Sequence, residues 1–263
     1  MKKLTYIAIA AFALMSVAAC NKITTADKTG ITYYADIVLE EGSSINWPIG
    51  QAWVEPGFTA TVKGEDVSND VVISGKPDIE VPGAYTVKYS HKNVDGYSVS
   101  VSRTVYVCDP SVTLDLSGAF TVDPEASTSG GKTFSQLAAA RKASYPDTYG
   151  PYVSTDYKIN FKKIAPGFFY CDDLMGGWYK YIQGRGGYYK ATNGSSYFTY
   201  FDMTGYVLVD NDGNISYISG NIRAWGDGLD SLSGTFDKET GILSYSWSYA
   251  DGAVFASPVF VKD

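Results

Sequence analysis

AYTVKYSHKNVDGYSVSVSRTVYV, Ala84–Val107, alternates two kinds of residue on either side of one turn. Tyr85, Val87 and Tyr89 are separated by Thr86 and Lys88. Tyr97, Val99 and Val101 are then separated by serines, and Val105 and Val107 keep the same phase. A period of two belongs to a half-buried strand, whose successive side chains point to opposite faces. Asn93-Val94-Asp95-Gly96 supplies the turn between the two runs. The stretch therefore predicts an antiparallel hairpin with one face in a core. Arg103 falls on the apolar face. Either the strand bulges there or the guanidinium reaches the edge.

Short apolar runs precede the hairpin: Ile37-Val38-Leu39, and Val71-Val72-Ile73 closed by Ser74-Gly75. Strands this short and this closely spaced predict a sandwich of Ig type over residues 31–108. Asp109-Pro110 ends it, because proline restricts the residue before it. Residues 109–114 read as a linker.

From residue 115 to 263 the pattern starts again. Leu116-Ser117-Gly118-Ala119-Phe120-Thr121-Val122 opens as a strand, and the Ser/Gly/Thr-rich 123–132 reads as a loop. Gln136-Leu137-Ala138-Ala139-Ala140-Arg141-Lys142 predicts a short helix starting at Phe134. Further strands are expected near 155–163, 167–172, 178–182, 196–209, 214–223, 231–236, 242–249 and 253–261. Turns are marked at Asp210–Gly213, Asp237–Gly241 and Asp251-Gly252. The expected fold class is all-β: an N-terminal Ig-like β-sandwich, then an antiparallel β-barrel or β-sandwich with one short helix.

The amino terminus carries an export signal. Lys2 and Lys3 precede an apolar stretch from Leu4 to Met15, which ends in Ser16-Val17-Ala18-Ala19-Cys20. That stretch is shorter than the about 20 apolar residues needed to span a bilayer. Residues 1–19 read as a signal peptide, and the polar 20–30 as a tether. Val17-Ala18-Ala19-Cys20 resembles the lipobox of bacterial lipoproteins. The resemblance implies that Cys20 is acylated and anchors the mature chain to a membrane.

The net charge is −7, and loss of the two leader lysines makes the mature chain more negative still. Such a chain is repelled by nucleic acid, which is excluded as a partner. Cys108 and Cys171 remain after lipidation. In an oxidising compartment they either form a disulfide or stand as two separate buried thiols. Neither belongs to a Cys-x-x-Cys pair, and no metal or cofactor is expected.

Ile49-Gly50, Glu55-Pro56-Gly57, Val71 to Gly75, Pro82 to Tyr89, Asp95-Gly96 and Arg103 to Val107 together resemble the Ig-like, HYR-like module of bacterial surface proteins. Glu55 stands where that family more often has Asp. The resemblance implies a spacer or adhesion module. Leu116-Ser117-Gly118 and Leu232–Gly241 resemble C-terminal domains of Bacteroidetes envelope lipoproteins, of the kind found with Sus-like polysaccharide uptake systems. This implies an outer-membrane lipoprotein that binds glycan, or an uptake complex, at the cell envelope. Asn21-Lys22-Ile23-Thr24 lacks the acidic residues usual after the lipid cysteine of surface-exported members, so the membrane face stays open.

Tyrosine is the compositional outlier, with 22 residues, whereas His91 is the one histidine. Gly176-Gly177-Trp178-Tyr179-Lys180-Tyr181 is followed by Gly184-Arg185-Gly186-Gly187-Tyr188-Tyr189. Trp178, Tyr179, Tyr181, Arg185, Tyr188, Tyr189 and Trp225 are the glycan-binding candidates. An aromatic ring offers a flat apolar surface to a sugar face and a polar tip to its hydroxyls. The alternative is that these rings alternate between core and surface of strands.

Other motifs carry less. Asp210-Asn211-Asp212-Gly213-Asn214 starts like a calcium loop, but the twelfth position is Asn221, so a hairpin turn is expected. Asp172 and Asp173 are adjacent and should face opposite sides of a strand. No nucleophile elbow, phosphate loop or zinc signature occurs, so no enzyme is expected. The remaining reading is a structural or adhesive protein whose partner is another protein.

Overall fold

The computed structural model describes residues 31–144, 157–184, 187–190, 196–199, 201–224 and 226–263. The first sheet system comprises β1 (Asp36–Leu39), β2 (Ser44–Pro48), β3 (Phe58–Val62), β4 (Glu65–Asp66), β5 (Val72–Ser74), β6 (Gly83–Lys92) and β7 (Ser98–Cys108). One sheet has the order β1-β3-β4 and the other β2-β7-β6-β5. Strands pair antiparallel, except that β2 runs parallel to β7. Val87, Tyr89, Val105 and Val107 are completely buried between the sheets, with Ala60 opposite.

The β6–β7 hairpin corrects the expectation for Arg103. Its register runs from Gly83↔Val107 to Lys92↔Ser98 with no shift, so there is no bulge. Arg103 turns inward and is 0% exposed. Glu55 meets its Nη1 at 3.0 Å. Nη2 donates to the carbonyls of Glu40 (2.7 Å) and Gly57 (2.9 Å). The Tyr89 hydroxyl donates to the same Glu55 oxygen at 2.5 Å. A charge can stay in a core because a counter-ion and carbonyls replace its water.

The second system holds β8 (Gly118–Val122), β9 (Thr128–Ser129), β10 (Lys132–Thr133), helix α1 (Phe134–Ser144), β11 (Lys158–Ala165), β12 (Phe168–Cys171), β13 (Gly187–Lys190) and β14 (Ser196–Thr199). After these come β15 (Met203–Val209), β16 (Asn214–Ile222), β17 (Ser231–Asp237), β18 (Ile242–Tyr249), β19 (Val254–Ala256) and β20 (Val259–Lys262). Eight of them make an up-and-down barrel in the order β8-β11-β12-β15-β16-β17-β18-β20, each antiparallel to the next, and β20 closes on β8. Of the two expected architectures, the barrel is the one formed.

Eight strands leave an interior just wide enough for side chains to fill. Phe120, Ile159, Phe169, Met203, Val207, Leu243 and Phe260 fill it, all 0% exposed. Thr133 opens α1 with a reciprocal cap. Its hydroxyl accepts from the Gln136 amide at 3.2 Å, and its own amide donates to the Gln136 side chain at 3.1 Å.

Three expected strands differ. The expected strand at 178–182 is a π-helical turn, Trp178–Ile182. Gly176 and Gly177, both at positive φ (63° and 79°), turn the chain there. A Cβ at Gly176 would sit 2.7 Å from the Phe260 ring, and one at Gly177 2.5 Å from the Tyr157 ring. The stretch expected at 196–209 divides into β14 and β15. That at 253–261 divides into β19 and β20, which pair with different parts of β18. Ser257-Pro258 lies at this break, where proline can give no ladder amide.

Candidate functional site

The aromatic cluster expected at 178–189 is not an exposed platform in its first half. Trp178 is 8% exposed and Tyr179 9%. The Trp178 ring packs edge-on against Trp247 at 5.6 Å and Phe134 of α1 at 6.0 Å. Tyr179 lies 5.7 Å from Phe201. These rings help close one end of the barrel and cannot stack on a sugar face. The backbone of Tyr181 is in the π turn, and those of Tyr188 and Tyr189 are on β13, opposite Phe198 and Tyr197. The side chains of these three lie outside the described residues, as do Cys20, Arg185 and Trp225 altogether.

A buried acidic node fastens the π turn. Asp173 is 3% exposed and accepts the Tyr157 hydroxyl at 2.5 Å. It also accepts the amides of Met175, Gly177 and Met203, each at 3.2 Å. Burial raises its pKa to about 6, against these donors and Lys180. Asp202, also buried, meets Arg223 at 3.2 Å and Lys180 at 3.9 Å. Asp172 faces the other way and accepts the backbone and side-chain N–H of Asn160, both at 2.8 Å. These carboxylates are committed to holding chain segments together.

Among the described residues, a ligand has better access on the outer wall of the barrel. There a depression of about 330 Å³ is lined by Tyr170, Thr204, Gly205, Tyr206, Ser219, Gly220 and Asn221. Strand register builds it. Tyr170 sits opposite Tyr206, Tyr206 opposite Ser219, and Thr204 opposite Asn221. One row thus presents phenols and the next presents a hydroxyl and an amide. Gly205 pairs with Gly220 beneath them. A Cβ on Gly205 would meet Leu174 at 2.5 Å and the Ser219 carbonyl at 2.4 Å, so the wall draws in only without side chains there. Tyr170 and Tyr206 are half-buried, with ring centroids 5.5 Å apart. Burial raises the Tyr170 phenol above its ordinary pKa while its hydrogen bond with Thr204 lowers it.

The aromatic row continues into the Ig-like sheets. Tyr206 lies 5.6 Å from Phe168, and Phe168 lies 5.3 Å from Tyr106 of β7. Phe168 and Phe169 are consecutive strand residues and both are 0% exposed, so both faces of β12 are covered there. The outer cover is Tyr106 and Cys108, with Ala165, Ile164, Leu208 and Ile218 packed around Phe168. Asn211, in the β15–β16 turn, pins the linker by accepting the Thr113 amide (2.9 Å) and donating to the Ser111 carbonyl (3.1 Å). The Asp210 carboxylate organises that turn by accepting the amides of Asp212 and Asn214. Among the described residues no group of His, Cys, Asp and Glu could hold a metal ion.

Cys108 belongs to this junction and Cys171 to the barrel interior. Both are free and buried. Burial raises both thiol pKa values.

The outer-wall residues escaped the sequence reading because Tyr170 and Tyr206 are far apart in the chain. The available signal was a ring at the outward position of an otherwise alternating strand, as in Met203-Thr204-Gly205-Tyr206-Val207.

Comparison with known proteins agrees with the division into two sheet systems. The bacterial surface protein Ig-like domain family matches residues 37–107. A C-terminal domain family matches residues 109–259, more than half of the chain. Among solved structures, the chain is similar to the lipoprotein BT2262 from Bacteroides thetaiotaomicron. The identity is 28%, over 88% of this chain and 100% of that one, with a TM-score of 0.39. It is also similar to the structure of CBM51-2 in complex with GlcNAc and INT domains from Clostridium perfringens ZmpB. Here the identity is 14%, over 87% of this chain and 44% of that one, with a TM-score of 0.25. No curated protein matches the chain. The chain belongs to the family of this C-terminal domain, carried here behind a bacterial surface protein Ig-like domain.

Proposed function

We propose that this chain is a non-catalytic cell-envelope lipoprotein, anchored in the outer membrane through Cys20, whose C-terminal barrel binds glycan. The observation that carries the reading is the depression at Tyr170 and Tyr206. Two half-exposed rings there stand beside Thr204, Ser219 and Asn221. Apolar ring faces suit the C–H face of a sugar, and neutral hydroxyls and amides suit its rim. The barrel interior is filled, so ligand contacts fall on the wall. Support for the anchor is the leader ending in Val17-Ala18-Ala19-Cys20. In this reading the Ig-like sheets serve as the spacer between lipid and barrel.

A glycan array probed with the mature protein and with Tyr170→Ala tests this. Wild type should bind a defined set of glycans, and the variant should lose them at unchanged melting temperature. Binding that survives equally in the variant removes the site. An array with no bound glycan removes the reading and favours the second one, a structural or adhesive partner of another protein. The observation behind that second reading is β5, the outer strand of its sheet. It exposes Val72 (66%) and Ile73 (44%) beside unpaired backbone groups.

A further inference from the structure

We infer that the glycan site crosses the domain junction. Tyr106 and Asn46 of the Ig-like sheets extend the Tyr170–Tyr206 wall, and the ligand is a neutral oligosaccharide long enough to touch both. This inference rests on the glycan reading of the barrel wall. Three observations carry it.

First, the rings form one row. Tyr170, Tyr206, Phe168 and Tyr106 follow one another at 5.5, 5.6 and 5.3 Å, and the last belongs to β7. Phe168 is buried inside the row, whereas the three tyrosines remain half-exposed. The two ends of the row are thus open and its centre is structural.

Second, polar groups flank the far end as they flank the near one. Asn46 of β2 pairs directly with Tyr106, so both project from the same face, and Asn46 is exposed. Ser44, also exposed, lies close enough to the Tyr106 phenol to lower its pKa against the effect of burial. Ser44 and Asn46 repeat the chemistry of Thr204 and Asn221 on the barrel. The junction between the two ends is held in place, because the linker is tied to Asn211 and Phe168 is covered by Tyr106.

Third, the groups lining the depression, with Ser44 and Asn46, are uncharged, Lys162 and Asp172 beside Tyr170 carry opposite charges, and the chain carries a net charge of −7. A polyanionic glycan would meet repulsion from the whole molecule and no cation among the groups lining the depression. Hydroxyl and amide groups match the hydroxyls of a neutral chain.

The test is isothermal titration of the mature chain with neutral oligosaccharides of array-positive type, as a series from disaccharide to hexasaccharide. A uronate-bearing series runs in parallel. Wild-type affinity should rise with length for the neutral series. Tyr106→Ala should weaken the hexasaccharide by about tenfold, as loss of one stacking ring does, and leave the disaccharide unchanged. Asn46→Ala removes an exposed side chain, and it should weaken the hexasaccharide alone at unchanged melting temperature. Tyr106→Phe should keep the ring row and most of the affinity.

Equal weakening of disaccharide and hexasaccharide by Tyr106→Ala, with Asn46→Ala silent, would make Tyr106 a buttress and overturn the inference. So would affinity that does not rise with length, or preference for the uronate series. In each of these cases, loss of binding in Tyr170→Ala keeps the barrel reading alive. Absence of any binding overturns both.

Discussion

Trp178→Ala separates a core role from a binding role for the aromatic stretch at one end of the barrel. Trp178 is 8% exposed, and its ring contacts Trp247 at 5.6 Å and Phe134 at 6.0 Å. Removing it leaves a cavity between α1, the π turn and β18. Trp→Ala changes in cores cost about 3–5 kcal/mol. For a chain of this size each kcal/mol lowers the melting temperature by about 2–4 °C, so the expected fall is roughly 6–20 °C. Differential scanning calorimetry on the mature protein measures it. Glycan binding per folded molecule, measured well below the melting point, should not change. Trp178→Phe keeps part of the volume and should cost less. A melting temperature within about 2 °C of wild type would show that the ring is not part of the core. So would lost binding at unchanged stability, because either result requires an accessible ring.

Three further outcomes are expected. Asp173 binds its proton more tightly folded (pKa about 6) than unfolded (3.8), so its contribution to stability is full below pH 3.8 and lost as pH rises through 6. The contribution amounts to about 3 kcal/mol, and Asp173→Asn should remove it from the pH dependence of urea unfolding; identical slopes in both proteins would contradict this. Glu55→Ala strands the buried Arg103 and should cost about 3–5 kcal/mol, whereas Glu55→Gln with Arg103→Met should cost much less. Additive single effects in urea melts would show that the pair is not coupled. Cys20→Ala should abolish acylation and release the protein from membranes; a variant that still carries fatty acid in the membrane fraction would refute the anchor.

Alternation made the sheets legible. β6, β7, β15 and β18 stand where a period of two places them, and the turns at Asn93–Gly96 and Asp210–Gly213 join neighbouring strands. Closure of β20 on β8 was not legible, because it depends on contacts between the two ends of the domain rather than on local pattern. Trp178-Tyr179-Lys180-Tyr181-Ile182 misled for a different reason. Its ring-rich pattern suits a strand, but two preceding glycines at positive φ aim it into the barrel end. Arg103 kept its strand phase, and its partner Glu55 lies 48 positions earlier, beyond any periodicity. The candidate site shares that difficulty. Tyr170, Tyr206 and Tyr106 become neighbours only after the barrel has closed and the Ig-like sheets have docked on its wall.

We propose that sugar meets this protein on the outer wall at Tyr170 and Tyr206. The most direct measurement is an amide chemical-shift titration of the mature protein with an array-positive neutral oligosaccharide. Saturable shifts are expected at Tyr170, Thr204, Gly205, Tyr206, Gly220 and Asn221, with the buried Trp178 and Asp173 unmoved. Shifts confined to other parts of the barrel, such as Gly187–Lys190, with the wall silent, would contradict it.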